Sequence, residues 1–261
     1  MSSSGKDDKK KVQAGGARRA QGKKASAAQK RPAASTAAPA GFADIREAPA
    51  ERARRAREIA RILAAQYPDA RCMLDYQNPY QLLIATILAA QCTDERVNMV
   101  TPALFRRYPD PEKMAGASIE ELEALVRSTG FFHSKAKSIQ GASEAIARRF
   151  KGELPRTMEG FLELPGVGRK TANVVLGNCY GVPSIVVDTH VRRVVQRLGL
   201  ADTDNPDAIE EQLQPLIQRD EWTAFSHAVT FHGRRCCMAK KPNCPGCPVE
   251  RLCPWTLKTV R

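Results

Sequence analysis

Lys170 and Asp188 stand eighteen residues apart, an amine and a carboxylate at the two ends of one short stretch of chain. Lys170 follows the turn Pro165-Gly166-Val167-Gly168 and Arg169. A Pro-Gly-x-Gly turn ahead of a helix leaves backbone amides free at the helix start, where they can hold a phosphate. A phosphate-holding turn, an amine and a carboxylate together point to covalent chemistry on a nucleic acid. Each residue also has a plainer reading. A lysine just after such a turn serves as a phosphate contact, and an aspartate ahead of a helix serves as its N-cap. As a nucleophile the amine must be unprotonated, which takes desolvation or neighbouring cations. Arg169 and the helix start are the nearest sources of positive charge. For the aspartate both roles are compatible, because a cap holds a carboxylate firmly where positive charge develops on a reacting sugar.

A second constellation lies near the C-terminus. Cys237, Cys244, Cys247 and Cys253 have the spacing Cys-x6-Cys-x2-Cys-x5-Cys, interrupted by Pro242, Pro245, Gly246 and Pro248. So compact a loop has too few apolar residues to hold itself together, and a metal centre is the physical answer. Zinc and iron–sulfur both accept four thiolates, and spacing alone leaves that choice open. Cys72, Cys92 and Cys179 are scattered, as ordinary buried thiols are. Lys240 and Lys241 sit between the first two cysteines of the set, just beyond Arg234 and Arg235. They read either as solvated surface charge or as a grip on a polyanion.

The elements that must position these groups are helices. Ile59, Ile62 and Leu63 share one helix face, with arginines opposite. Pro79 opens a strongly apolar segment, Leu82 to Leu88, suited to a buried helix. Val97, Val100 and Leu104 mark the next, started at or just before Asp94. Ser118-Ile119-Glu120-Glu121 reads as a capping box for a helix stopped at Gly130. Ser134 is the expected cap of the helix carrying Ile139, Ala142 and Ile146. A short helix through Phe161 and Leu162 leads into the glycine turn, and another runs from Arg169 to Cys179. Ile185-Val186-Val187 has no strand-like partner, so it reads as an extended connection delivering Asp188 to the helix Val191 to Leu198. Asn205-Pro206 starts a further helix that Pro215 should end or kink. Trp222, Phe225 and Val229 mark the last. The fold class is all-α.

Composition bounds the rest. Ten Lys/Arg against Asp7 and Asp8 give residues 1–32 a charge of +8, out of +13 for all 261 residues, so the remainder carries +5. That segment is rich in Ala, Ser, Gly and Gln and should be disordered, a solvated tail or a salt-sensitive attraction to polyanions. No apolar run is long enough for a membrane span, and the N-terminus lacks the apolar core of a secretory signal. Eight cysteines without such a signal point to a reducing compartment and to thiols as ligands or buried groups.

From about Ala50 to Arg261 the chain resembles the endonuclease III family of the helix-hairpin-helix-GPD superfamily, bifunctional DNA glycosylase/AP lyases of base excision repair. The resemblance rests on Leu164 to Val175 and on Val187 to Arg193. It implies two helical domains flanking a DNA-binding cleft: a six-helix domain over 72–182 with the helix-hairpin-helix, and a cluster domain of 51–71 with 183–261. The basic tail, 1–50, stays outside. By matching position, Lys170 is implied as the Schiff-base nucleophile and Asp188 as the residue assisting base departure. Cys237, Cys244, Cys247 and Cys253 are implied as ligands of a [4Fe-4S] cluster. Cys236 breaks the family spacing and is read as a non-ligand.

The implied DNA contacts are Gln91, which enters the space vacated by the flipped base, Phe131 in a second wedge loop, Gly166, Val167, Gly168, Arg169, His190, Lys240 and Lys241. Phe131 stands where the family commonly has an aliphatic residue, and Ala89 stands where it has serine; both departures bear on base preference. Related adenine glycosylases lack the lysine and continue the aspartate as Asp-Gly-Asn, unlike Asp188-Thr189-His190. The implied activity is removal of oxidised pyrimidines from double-stranded DNA, followed by strand cleavage at the abasic site. It implies a monomer working in the bacterial cytoplasm at the nucleoid, with no membrane partner. A non-catalytic DNA clamp explains the charge and the hairpin equally well, but leaves the lysine–aspartate pair as coincidence.

Overall fold

The structure, a computed structural model, describes residues 47–260; the basic segment before residue 47, expected to be disordered, lies outside the described residues. Eleven α-helices and three single 3-10 turns make up the described residues, with no strand among them. Helix α1 (Pro49–Gln66) starts on a proline, which loses nothing at a position whose N–H has no intrahelical partner. Helix α2 (Pro79–Leu88) starts the same way, with the Asn78 side chain accepting the Gln81 amide. Leu82, Leu83, Ile84 and Leu88 of α2 are wholly buried, each contributing roughly 1.5–3 kcal/mol by leaving water.

Helix α3 (Asp94–Arg107) is capped by Thr93, and α4 (Pro111–Ala115), a single turn that no periodicity announces, is capped by Asp110. Helix α5 (Ile119–Val126) has Ser118 as its cap, accepting the Glu121 amide. The reciprocal half of the expected box is not made: the Glu121 carboxylate accepts from Arg107 Nε at 2.7 Å, and the Ser118 hydroxyl donates to Glu120. A 3-10 turn over Arg127–Thr129 then leads to α6 (Phe132–Arg149). Ser134 does not cap α6: the helix begins two residues earlier, and Phe131, in a left-handed conformation without a side-chain cap, occupies the cap position.

Helices α7 (Met158–Leu162) and α8 (Arg169–Cys179) form the hairpin, followed by α9 (Thr189–Arg197), α10 (Pro206–Leu213) and α11 (Trp222–Arg235). Helix α10 ends two residues before Pro215, as a proline with no N–H to donate requires.

Two hydrophobic clusters form. The first takes its buried residues from Leu74 to Leu176 and so from α2 to α8. The second joins Ala56 to Tyr67 of the N-terminal helix region with residues between Ile185 and Val249. The chain passes from one to the other through residues 182–187, which stay extended without pairing. Its backbone groups find side chains instead: Ser226 Oγ accepts the Val186 amide at 3.0 Å, Thr223 Oγ1 accepts that of Ser184 at 3.3 Å, and Asn173 Nδ2 donates to the Ile185 carbonyl at 3.3 Å. Helices α8 and α11 thus satisfy what a neighbouring strand would. This extended connection is what carries Asp188 to the start of α9.

Candidate active site

The hairpin turn is built around Gly166, whose φ of +74° suits a residue without Cβ. A Cβ there would come within 2.5 Å of Ser138 Cβ on α6, so the turn also needs the small residue for packing. Val167 anchors the turn: its side chain is buried and its amide donates to the Leu164 carbonyl at 3.1 Å. Its N–H is therefore spent inside the turn. Gly168 caps α8 with no side chain to offer, and a Cβ on it would meet open space. The first-turn amides of α8 consequently face outward, carrying the positive end of an 11-residue helix.

Lys170 lies in that first turn, exposed, and its amine has no hydrogen-bonding or ion-pairing partner among the described residues. Arg169 beside it turns to Glu210 on α10, 3.0 Å away, and the same buried carboxylate accepts from Asn173 Nδ2 at 3.1 Å. The guanidinium thus braces α8 against α10, with its charge shared.

Asp188 is the N-cap of α9, one carboxylate oxygen accepting the Val191 amide at 2.7 Å. Lys170 and Asp188 line one open recess, together with Gln91 from the loop after α2. Helix α11 adds groups that no sequence spacing announced, because His227 and Arg234 lie 39 and 46 residues beyond Asp188. His227 Nε2 lies 3.0 Å from Asn178 Oδ1, whose own amide nitrogen donates to the Val174 carbonyl. That second bond fixes which atom of Asn178 faces the imidazole. Burial pulls the His227 pKa down, against the opposing pull of Asp188. Arg234 pairs with Asp94 at the first turn of α3, at 2.5 Å. His190 packs at the start of α9, its Nδ1 3.3 Å from Arg193 Nη2, and burial lowers its pKa as well.

Gln91 and Phe131 share a backbone property. With Lys151 they are the non-glycine residues of positive φ among the described residues, at +53° and +50°. Left-handed backbone costs such residues roughly 1–2 kcal/mol. Both side chains are exposed, Phe131 at 66 %. Gln91 lines the recess and Phe131 stands outside it.

The four cysteines of the C-terminal set line a second recess. None is in a disulfide. Arg197, in the last turn of α9, donates from Nη1 to Cys237 Sγ at 3.3 Å and to the Met238 carbonyl at 2.9 Å, and from Nη2 to the Ala239 carbonyl at 3.0 Å. Its guanidinium stacks 4.1 Å from the Trp255 ring centroid. Four soft thiols around one recess, with a cationic donor at one sulfur, fit a thiolate-held metal centre of either kind. Cys236 also reaches this recess, and its sulfur, Cys247 Sγ and a His232 nitrogen lie within 4.8 Å of one another. Lys240 and Lys241 are exposed on the loop between Cys237 and Cys244.

Residues 84–219 match the HhH-GPD superfamily of base excision DNA repair proteins. The chain is 54 % identical over 206 residues to endonuclease III of Synechocystis sp., covering 78 % of this chain and 94 % of that one. It is 43 % identical over 188 residues to endonuclease III of Bacillus subtilis, covering 72 % and 86 %. Among solved structures, a trapped endonuclease III–DNA covalent intermediate with an estranged adenine superposes with a TM-score of 0.75 at 43 % identity, covering 77 % of this chain and 95 % of that one.

Proposed function

The chain belongs to the endonuclease III family, and from that premise we propose that its recess removes oxidised pyrimidines from duplex DNA and then cleaves the strand through Lys170. It is a DNA glycosylase of base excision repair; the roles of individual residues are our reading. What carries them is that Lys170, Asp188 and Gln91 line the same recess.

In this reading the damaged nucleotide leaves the stack, at a cost of a few kcal/mol, and its sugar enters the recess. Lys170 Nζ forms a bond to C1′ while the glycosidic bond breaks and the base departs with that electron pair, taking up a proton. Asp188, fixed by its cap bond, stabilises the positive charge that develops on the sugar. Ring opening gives an imine between Lys170 and C1′. Loss of a C2′ proton expels the 3′ phosphate by β-elimination, and water releases the enzyme. The unpartnered, exposed amine at the start of α8 supplies an accessible nucleophile.

DNA contacts are assigned alongside. Gly166, Gly168 and the first-turn amides hold a phosphate, Val167 anchors the turn by its side chain, and Arg169 adds charge while braced on Glu210. Gln91 fills the space of the extruded base, Phe131 wedges from the second loop, His190 supports the start of α9, and Lys240 and Lys241 grip the backbone from the cysteine loop.

A [4Fe-4S] cluster held by Cys237, Cys244, Cys247 and Cys253 would supply the covalent staple that this proline-rich loop lacks. Two domains, over 72–182 and over 51–71 with 183–261, follow the two hydrophobic clusters. One chain provides both reactive residues, so we propose a monomer. Because the relatives compared are bacterial, we place it in the bacterial cytoplasm, at the nucleoid.

The test is chemical trapping. With thymine-glycol duplex and borohydride, the wild type is expected to form a covalent protein–DNA adduct, and Lys170→Gln to form none. An undiminished adduct in that variant refutes Lys170 as the nucleophile.

A further inference from the structure

Among the described residues Lys135 is the one buried lysine, only 5 % exposed, and no step above uses it. It lies in the first turn of α6, where helical side chains point back toward the preceding segment. That segment is the turn carrying Phe131. Lys135 Nζ donates to the Thr129 carbonyl at 2.7 Å, and its backbone amide donates to the Phe131 carbonyl at 3.0 Å. One residue therefore holds the chain on both sides of Gly130.

The turn between those anchors is held against its own preferences. Gly130 has φ +71° and ψ +156°, a region open essentially to glycine alone, and Phe131 is left-handed. Thr129 is buried and spends its hydroxyl on the Val126 carbonyl at 2.8 Å. Its carbonyl is left to Lys135. Such backbone persists only where surrounding contacts over-determine it. A buried ammonium is an expensive way to satisfy one carbonyl, and burial pulls its pKa down. A neutral packing residue would cost less unless the turn's shape matters. What the shape achieves is visible: an aromatic ring held in solvent, exposed at 66 %.

We propose that Lys135 is a positioning residue for DNA recognition, clamping the Thr129–Phe131 turn so that the Phe131 ring is already presented when the duplex arrives. The proposal rests on the reading of Phe131 as a wedge. Presentation in advance saves the ordering cost that a loose loop would pay on binding.

The experiment uses the full chain and a duplex carrying a non-cleavable abasic analogue opposite 2-aminopurine, whose fluorescence reports loss of stacking. Phe131→Ala is expected to lose the fluorescence change on binding. Lys135→Met, of similar length without a donor, is expected to lose most of it and to bind about tenfold more weakly, a change of about 1.4 kcal/mol. Lys135→Arg, which keeps a charged donor, should restore both. Should Lys135→Met fail to fold, Lys135→Gln, too short to reach Thr129, is read in the same way. A normal signal in Lys135→Met beside a lost one in Phe131→Ala overturns the clamp while sparing the wedge. A normal signal in Phe131→Ala removes the wedge, and the clamp with it. Failure of Lys135→Arg to rescue reduces Lys135 to a packing role and overturns the proposal.

Discussion

One carboxylate oxygen of Asp188 accepts the Val191 amide at 2.7 Å, so the residue assigned to stabilise a reacting sugar is also the cap of α9. The two roles separate by substitution. Asn caps as well as Asp but carries no charge. Asp188→Asn should therefore keep its stability to within about 0.5 kcal/mol and bind abasic duplex normally, yet turn over about a hundredfold more slowly. Asp188→Ala should add a stability loss of about 1 kcal/mol. Single-turnover cleavage and thermal melting measure the two effects separately. Wild-type turnover in Asp188→Asn would leave the residue a cap and nothing more.

The glycines of the hairpin make opposite predictions. Gly166→Ala must place a Cβ 2.5 Å from Ser138 Cβ at a φ of +74°, and should cost about 2–4 kcal/mol of stability from backbone strain and overpacking. Gly168→Ala meets open space at a φ of −101°. It should cost less than about 1 kcal/mol but weaken DNA binding about tenfold, because a methyl group would stand where the phosphate must approach the amides. Melting and titration of the two variants decide it. Unchanged affinity in Gly168→Ala would remove the amide–phosphate contact.

Much of this was legible in the chain because it is local. The bounds of α8 follow from the glycine turn at one end and the loss of pattern after Cys179 at the other. The cap role of Asp188 needed only an extended run with no pairing partner. Legibility failed where residue type does not announce the partner that decides a role, whether that partner is three residues away or forty-one. Val167 looked like a phosphate donor, but the turn consumes its N–H through Leu164. Arg169 looked like a free cation, and Glu210, forty-one residues on, claims it. The start of α6 was misplaced because Ser134 is a good cap by type. The buried Lys135, tied to Thr129, instead favours a helix already begun at Phe132. His227 and Arg234 reach the recess from a helix whose periodicity reports only its buried face.

Acid should weaken the fold through His227 and His190. Burial lowers the pKa of both, so the unfolded chain accepts protons that the folded protein refuses. Stability is thus full above the unfolded histidine value, near 6.5, and is lost as pH falls through it toward the lower folded values. Each group contributes at most about 1.4 kcal/mol per pH unit. Melting temperature should be flat from pH 8 to 7 and decline toward pH 5.5. His227→Gln, which keeps an N–H for Asn178, should flatten that decline in part. An equal decline in the variant would assign the effect to other groups.

The cysteine recess admits two ligand sets, and the hydrogen bonding of His232 separates them. His232, Cys236 and Cys247 bring three donor atoms within 4.8 Å. Yet His232 Nδ1 lies 3.1 Å from the buried Tyr67 hydroxyl. Burial pushes that hydroxyl up to about 12, so it keeps its proton and can donate it to Nδ1. Nε2 then bears the other proton and faces Cys247 Sγ at 3.6 Å as a donor, which leaves it no lone pair for a metal. Cys236 Sγ meanwhile faces the Asn243 carbonyl at 3.4 Å. The four-cysteine set is then the one left to hold a metal, and with the [4Fe-4S] cluster proposed for it the purified protein should be brown, with broad visible absorption and equal iron and sulfide. Cys236→Ser should keep that colour, while Cys237→Ser should lose it and melt several degrees lower. Arg197→Met, which removes the hydrogen bond to Cys237 Sγ, should bleach several-fold faster in air. A colourless zinc protein that loses its metal in Cys236→Ser would transfer the site to the His232 set.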